Sequence, residues 1–350
     1  NAEAARAQIA IMEKIVKGFE VLNPGIKVHL QYGVKTQKIL ISIAGGDAPD
    51  VFMWWSGIYG LEKRGALLPL NALIKKYHVD MSRYFKNMVN YYTYKGKLYA
   101  FPLQLKTVAL AYNKNIFDKA GLPYPNKNWT WNDYLRVATK LNKNNGGIRR
   151  QQFGTAMPSA LYWIMLNGGG LVDPETRKCI LDTPPAREAL KFLIKLRKEA
   201  VPTPAERSAF SGQAGTQGFM TGRIAMKIAF AWELASYSTI KNFKWDVVPV
   251  PKPPQRKRTA IFDAAGLCLS SQSKHPDAAF KFIKYYTGIK GMKLFGKARN
   301  GIPALKEAAY TTFVEPPPDH LKYYLEVAEK AKIPLTPRID RWDEIEQPFF

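Results

Sequence analysis

The 350-residue chain is poor in the residues on which most enzymes and metal sites depend. It carries only two cysteines, Cys179 and Cys268, with no CxxC spacing. Two are too few for a disulfide scaffold, so both read as small buried residues without a bridge, and they leave the compartment undecided. Its four histidines, His29, His78, His275 and His320, are scattered and form no HExxH. A metal centre or a histidine base is therefore not expected. There is no GxSxG elbow, no GxxxxGK[ST] loop and no GxGxxG after a strand, which removes serine hydrolases, P-loop enzymes and dinucleotide binders. Gly168-Gly169-Gly170 reads as a helix stop, and no cofactor is expected. No apolar run reaches the roughly 18 residues of a membrane span. Acidic residues are also scarce, 28 against 52 Lys and Arg, for a net charge of +24. Such an excess favours anionic partners. It is spread along the chain, however, with Arg256-Lys257-Arg258 its densest run. No nucleic-acid motif accompanies it, so a solvated basic surface is the preferred reading and nucleic acid is not an expected partner.

What is present is an α/β pattern long enough for about two domains. Ile9, Met12, Val16 and Phe19 recur at helical spacing, and Asn23-Pro24-Gly25 ends that helix. Ile26, Val28 and Leu30 alternate with Lys27 and His29 as in a strand. A helix through Ile39, Leu40 and Ile43 ends at Gly45-Gly46, and Val51-Phe52-Met53 reads as a buried strand. This alternation predicts a layered fold with a mainly parallel sheet. Lys95-Gly96 is expected to turn a hairpin, Thr130 and Asp133 to form a capping box, and Ser273 with Pro276 to start a helix. Ile224–Ala229 reads as a strand, 208–215 as a small polar loop and 249–258 as a proline-rich basic loop.

Chemistry requiring only two carboxylates stays open, with Asp50, Glu233, Asp246 and Asp263 as the four candidates for such a pair. The aromatic residues are more informative. Trp54-Trp55, Trp163 and Trp232 lie at or just beyond the ends of predicted elements, where open α/β sheets bind ligands. An aromatic ring matches the C–H face of a sugar, and amide or charged groups match its hydroxyls. Gln104, Glu233, Asp263 and Arg299 would complete such a pocket. Trp54 and Trp232 are preferred as pocket residues, Trp55 is preferred as core or surface, and Trp163 and Trp342 are evenly balanced.

An ordered set of segments spans almost the whole chain: NPGIKV at 23–28, IAGGDAPDVF at 43–52, LEKRGALLPLNALI at 61–74, GKLYAFPL at 96–103, YNKNIFDKAGL at 112–122, NWTWNDY at 128–134, FMTGRIAM at 219–226, AWELA at 231–235 and SKHPDAAFKFIKYYT at 273–287. In this order the chain resembles the family 1 extracellular solute-binding proteins of ABC importers, a sugar-binding group that includes the maltose-binding protein. The resemblance implies a type II periplasmic-binding-protein fold of two α/β lobes. Residues 1–110 plus 267–309 would form the first lobe and 113–260 plus 319–350 the second, with hinge crossings near 110–112, 261–266 and 310–318. It implies no enzyme activity. The implied role is a monomeric, extracytoplasmic binding component that captures a sugar or oligosaccharide by hinge closure and delivers it to ABC permease subunits. Matching motif positions place Trp54, Lys106 and Trp232 on the ligand, with Trp342 a looser match. Lys106 stands where an acidic residue is common in maltose binders, so an acidic or phosphorylated sugar is the alternative ligand, and an oligosaccharide-cleaving enzyme the more distant one. The family also leads one to expect a strand before residue 1, helices after residue 350, and a cleaved signal or lipid anchor ahead of the chain.

Overall fold

The computed structural model describes residues 2–143, 152–173, 175–176, 178–207, 214–254 and 256–337. Its strands, in chain order, are β1 Val51–Trp54, β2 Thr93–Tyr94, β3 Lys97–Leu98, β4 Ala100–Lys106, β5 Val108–Asn113, β6 Phe153–Thr155, β7 Ile224–Phe230, β8 Trp245–Val248, β9 Ile261–Leu269, β10 Ile302–Pro303 and β11 Ile333–Pro334. The chain divides into two compact units. Of the described residues, those within 1–106, 263–313 and 336–337 form one, and those within 107–262 and 314–335 form the other. β9 starts in the second unit and continues into the first.

In the first unit the sheet order is β1-β9-β4-β10, with every pair antiparallel. All seven residues of β4 are buried, as expected for a central strand covered on both faces. The helices Lys86–Tyr91 and Pro276–Thr287 pack on it. The helix Ala2–Leu22 presents Ile15 and Phe19, neither exposed, to this core. The Asn23 side chain donates to the Phe19 carbonyl where the helix ends, ahead of Pro24, which has no N–H to continue the ladder. The β2–β3 hairpin turns through Lys95 and Gly96, both at positive φ (47° and 74°), the geometry a two-residue turn requires.

In the second unit the order is β6-β7-β5-β8. β6–β7 is parallel and the pairs on either side of β5 are antiparallel. The helices Ala214–Met220, Trp131–Lys140 and Lys322–Lys330 pack on β7, β6 and β5. The Trp131–Lys140 helix begins with the expected capping box, the Thr130 hydroxyl and Asp133 carboxylate each accepting from the other's backbone N–H. Gly154 marks the tightest approach of β6 to this helix, since a Cβ there would lie 1.8 Å from the Ala138 carbonyl oxygen.

Several sequence expectations are corrected. Pairing is mainly antiparallel, because the parallel reading rested on a strand at 26–30 that joins no ladder among the described residues. The Val28 N–H instead donates to the Glu20 carboxylate at 2.9 Å. The strand inserted between β1 and β4 is β9, which comes from far along the chain, so no local crossover sets its direction. The helix at Pro276 is entered from His275, while the Ser273 hydroxyl accepts the His275 N–H and donates to Asp50. Cys179 is exposed, and only Cys268 is buried. The loop expected at 208–215 lies outside the described residues except for its last two positions, which begin the Ala214–Met220 helix.

Candidate functional site

In the first unit the geometry follows from strand alternation. β1 turns Phe52 and Trp54 inward. Trp54 is 6% exposed, and its indole N–H donates to the Gly57 carbonyl at 3.1 Å. The next side chain points the other way, and Trp55 is 47% exposed. The preference for Trp54 over Trp55 as the solvent-facing ring is thus reversed: Trp54 is one more inward position of the strand, and Trp55 is the first outside it.

Lys106 is the last residue of β4 and faces Asp263 of β9 in register. Its Nζ lies 2.8 Å from Asp263 Oδ2, with the two side chains only 10% and 14% exposed. The same ammonium sits 5.1 Å from the centroid of the Trp55 ring, within cation–π range. Asp263 Oδ1 accepts the Ala264 N–H. The structure therefore brings Trp55, Lys106 and Asp263 together. Gln104 is buried two residues earlier on the same strand. It packs against Gly301, where a Cβ would come within 2.9 Å of its Oε1 and where φ is +125°. Only glycine suits that backbone. Arg299 follows the helix Ile289–Lys297 at φ 52°, its N–H donating to the Gly296 carbonyl.

Tyr92 was not singled out by sequence, its run of tyrosines reading only as a hairpin arm. Its hydroxyl is buried with no hydrogen-bond partner among the described residues. The ring abuts Gly266. Burial, with smaller contributions from neighbours that include the Asp263 carboxylate, pushes its phenol well above the ordinary range.

In the second unit the expected aromatics go to different places. Trp163 is fully buried. It stacks on Phe192 at 5.5 Å with 9° between planes and lies against Trp131 and Tyr134. The helix Ala160–Leu166 is buried from Leu161 through Leu166, so its indole has no solvent face. This removes Trp163 from the set of ligand-stacking rings. Trp232 is half-buried beside Phe230, with centroids 6.0 Å apart. Glu233 is 2% exposed and already engaged. Thr216, Lys227 and Tyr237 donate to Oε1 and the Phe230 N–H donates to Oε2. That carboxylate anchors the end of β7 and has no oxygen to spare for a ligand. Trp342 lies outside the described residues.

The other carboxylates also have internal partners. Asp50 accepts from Ser273. Asp246 is fully buried between Lys114 at 3.1 Å and His320 Nδ1 at 2.7 Å. Burial lowers the Lys114 pKa, but the Asp246 and Asp319 carboxylates outweigh it and leave a net rise. Among the described residues no three His, Cys, Asp or Glu side chains converge as a metal site. An exposed indole beside a neutralised lysine–carboxylate pair offers a flat apolar face and a polar rim, the chemistry that receives a hydroxylated ring.

Two α/β units through which the chain passes more than once, one carrying such an aromatic patch at its strand ends, define a two-lobed solute-binding protein. The chain belongs to the bacterial extracellular solute-binding protein family, whose model matches residues 4–293. Among curated relatives it is 25% identical over 301 residues to the maltotriose-binding protein of Pyrococcus abyssi, covering 80% of this chain and 60% of that protein. It is 25% identical over 267 residues to the maltodextrin-binding protein MdxE of Bacillus subtilis, covering 74% and 61%. The alignment thus spans about three-fifths of the length of each of these two relatives. Among solved structures, an ABC substrate-binding protein of Listeria monocytogenes in complex with cycloalternan superposes with a TM-score of 0.85 at 29% identity, covering 96% of this chain and 87% of that one. The GacH receptor of Streptomyces glaucescens shares the fold, with a TM-score of 0.78 at 21% identity and coverage of 98% and 88%. No helix among the described residues is long and apolar enough to cross a membrane.

Proposed function

We propose that this chain is the extracytoplasmic binding component of an ABC-type carbohydrate importer. It captures a sugar or oligosaccharide and hands it to membrane permease subunits, without making or breaking bonds. The supporting observation is the exposed Trp55 indole beside the Lys106–Asp263 pair, in a family whose relatives are named for maltotriose and maltodextrin. The ring supplies a stacking face, and the paired charges supply hydrogen bonds to hydroxyls at little net charge. That balance favours a neutral ligand over the acidic or phosphorylated sugar that a bare Lys106 suggests. In this reading the protein acts as a monomer of two lobes, with the division and crossings expected from the family. Ligand binding shifts the population toward a closed form by making contacts the open form lacks.

The test is a thermal-shift screen of neutral and acidic mono- and oligosaccharides. A true ligand at 100 times its Kd adds about 2.7 kcal/mol of stability, and small-angle scattering then reads compaction on saturation. A screen in which no carbohydrate shifts the transition removes this assignment. A shift that appears only with acidic sugars removes the argument from the Lys106–Asp263 pair.

A further inference from the structure

The second unit holds a cavity of about 410 Å³ that the aromatic patch does not use. Its floor is apolar, including Val108, Leu166, Val250, Ile261 and Val327, and its rim is cationic. Lys252, Arg256, Lys257, Arg258 and Lys330 line it against a single carboxylate, Glu326. Lys252, Arg256, Lys257 and Arg258, from the basic stretch that the sequence shows at 249–258, thus line one wall of a half-open space of the size that small-molecule sites have. Arg256 is paired with Glu188 at 3.3 Å. Arg258 is not paired with any carboxylate among the described residues. Its Nε donates to the Val250 carbonyl and its terminal nitrogen to the Lys127 carbonyl, which fix the guanidinium in place. Burial lowers the Arg258 pKa from the ordinary guanidinium value, as expected for a charge drawn from water without a counterion. Lys257 and Lys330 likewise have no carboxylate partner among the described residues.

A held guanidinium flanked by lysines over an apolar floor is complementary to a phosphate carried on a compact apolar or ring-bearing body. We propose that this cavity is a second ligand site, taking the phosphate of an organic phosphomonoester or of a phospholipid headgroup. This site is separate from the aromatic patch and does not rest on the sugar-binding reading.

The test uses phenyl phosphate, with benzyl alcohol as the neutral counterpart, on the whole chain and on the double variant Lys257→Gln/Lys330→Gln. Both lysines project from the rim, so the variant is expected to melt within a few degrees of the parent, and Arg258→Lys provides a second probe that keeps the charge but loses the fork. Calorimetry is expected to show phenyl phosphate binding at least tenfold more tightly than benzyl alcohol. The preference should shrink tenfold or more in the double variant and weaken steeply with salt. Co-sedimentation with phosphatidylglycerol against phosphatidylcholine vesicles separates the sources. Retention on the anionic vesicles alone, lost in the double variant, assigns a lipid headgroup; no retention, with phenyl phosphate still bound, assigns a soluble phosphomonoester. Equal affinity for phenyl phosphate and benzyl alcohol, no binding of either, or a double variant and Arg258→Lys that both bind phenyl phosphate as the parent does, overturns the proposal.

Discussion

Each unit contains a lysine–carboxylate pair largely shielded from water, and the two do different jobs. Lys227 and Glu233 in the second unit are 13% and 2% exposed at their side chains. Thr216, Tyr237 and the Phe230 N–H complete the carboxylate's hydrogen bonds. Lys106 and Asp263 in the first unit are similarly shielded, but they abut an indole that is half open to solvent. A saturated pair can only hold the fold. A pair at the edge of an aromatic face holds its strands and, in the function proposed above, also presents polar groups to a ligand. The same contrast separates the tryptophans: Trp163 belongs to a stacked interior, and Trp55 has a free face.

This comparison can be broken by substitution. Trp163→Ala removes a fully buried ring from an aromatic stack and is expected to cost about 3–5 kcal/mol of unfolding free energy, measured by urea denaturation. Trp55→Ala at an exposed position should change stability by about 0.5 kcal/mol or less; comparable losses for the two would erase the distinction. Glu233→Leu strands a buried ammonium and two hydroxyls, with an expected loss of about 3–5 kcal/mol. Asp263→Leu strands the comparably shielded Lys106 ammonium but no hydroxyl donor, and should cost less. For ligand binding the order inverts. Trp55→Ala is expected to weaken an identified oligosaccharide by about 2 kcal/mol, or roughly thirtyfold. Titration calorimetry showing unchanged affinity would move the site away from this patch.

The smallest expected effect concerns acid stability in the first unit. Asp277 is held down to about 2 from 3.8, chiefly by the Lys76 ammonium and the Tyr77 hydroxyl. A depressed carboxylate stabilises the fold fully above its unfolded pKa, and that contribution disappears as pH falls through the folded value. Asp277→Asn should therefore flatten the fall in stability between about pH 4 and pH 2 while leaving ligand affinity unchanged. An acid profile identical to that of the parent removes Asp277 from the account.

Much of the architecture was legible in the sequence because it depends on local rules. Helical spacing placed Ile9 to Phe19, the Thr130–Asp133 pair declared its capping box, and Lys95-Gly96 declared its turn. The ordered motifs pointed to the family across nearly the full length. The failures were of another kind. Trp54 and Trp55 are adjacent and chemically identical, and only the register of β1 determines which one turns inward. Glu233 reads as available until its donors, drawn from Thr216, Lys227 and Tyr237, are brought together by folding. Cys179 reads as buried by type, but its exposure depends on what packs over it.

The sequence by itself determined the helices, their stops, the excess of positive charge and the α/β class, since these follow from residue periodicity and composition. The tertiary structure alone decided the order of strands, the placement of β9 between β1 and β4, and the meeting of Trp55, Lys106 and Asp263. Lys106 and Asp263 are 157 positions apart in the chain. No local preference encodes their contact, because it exists only once a ladder between distant strands has set its register.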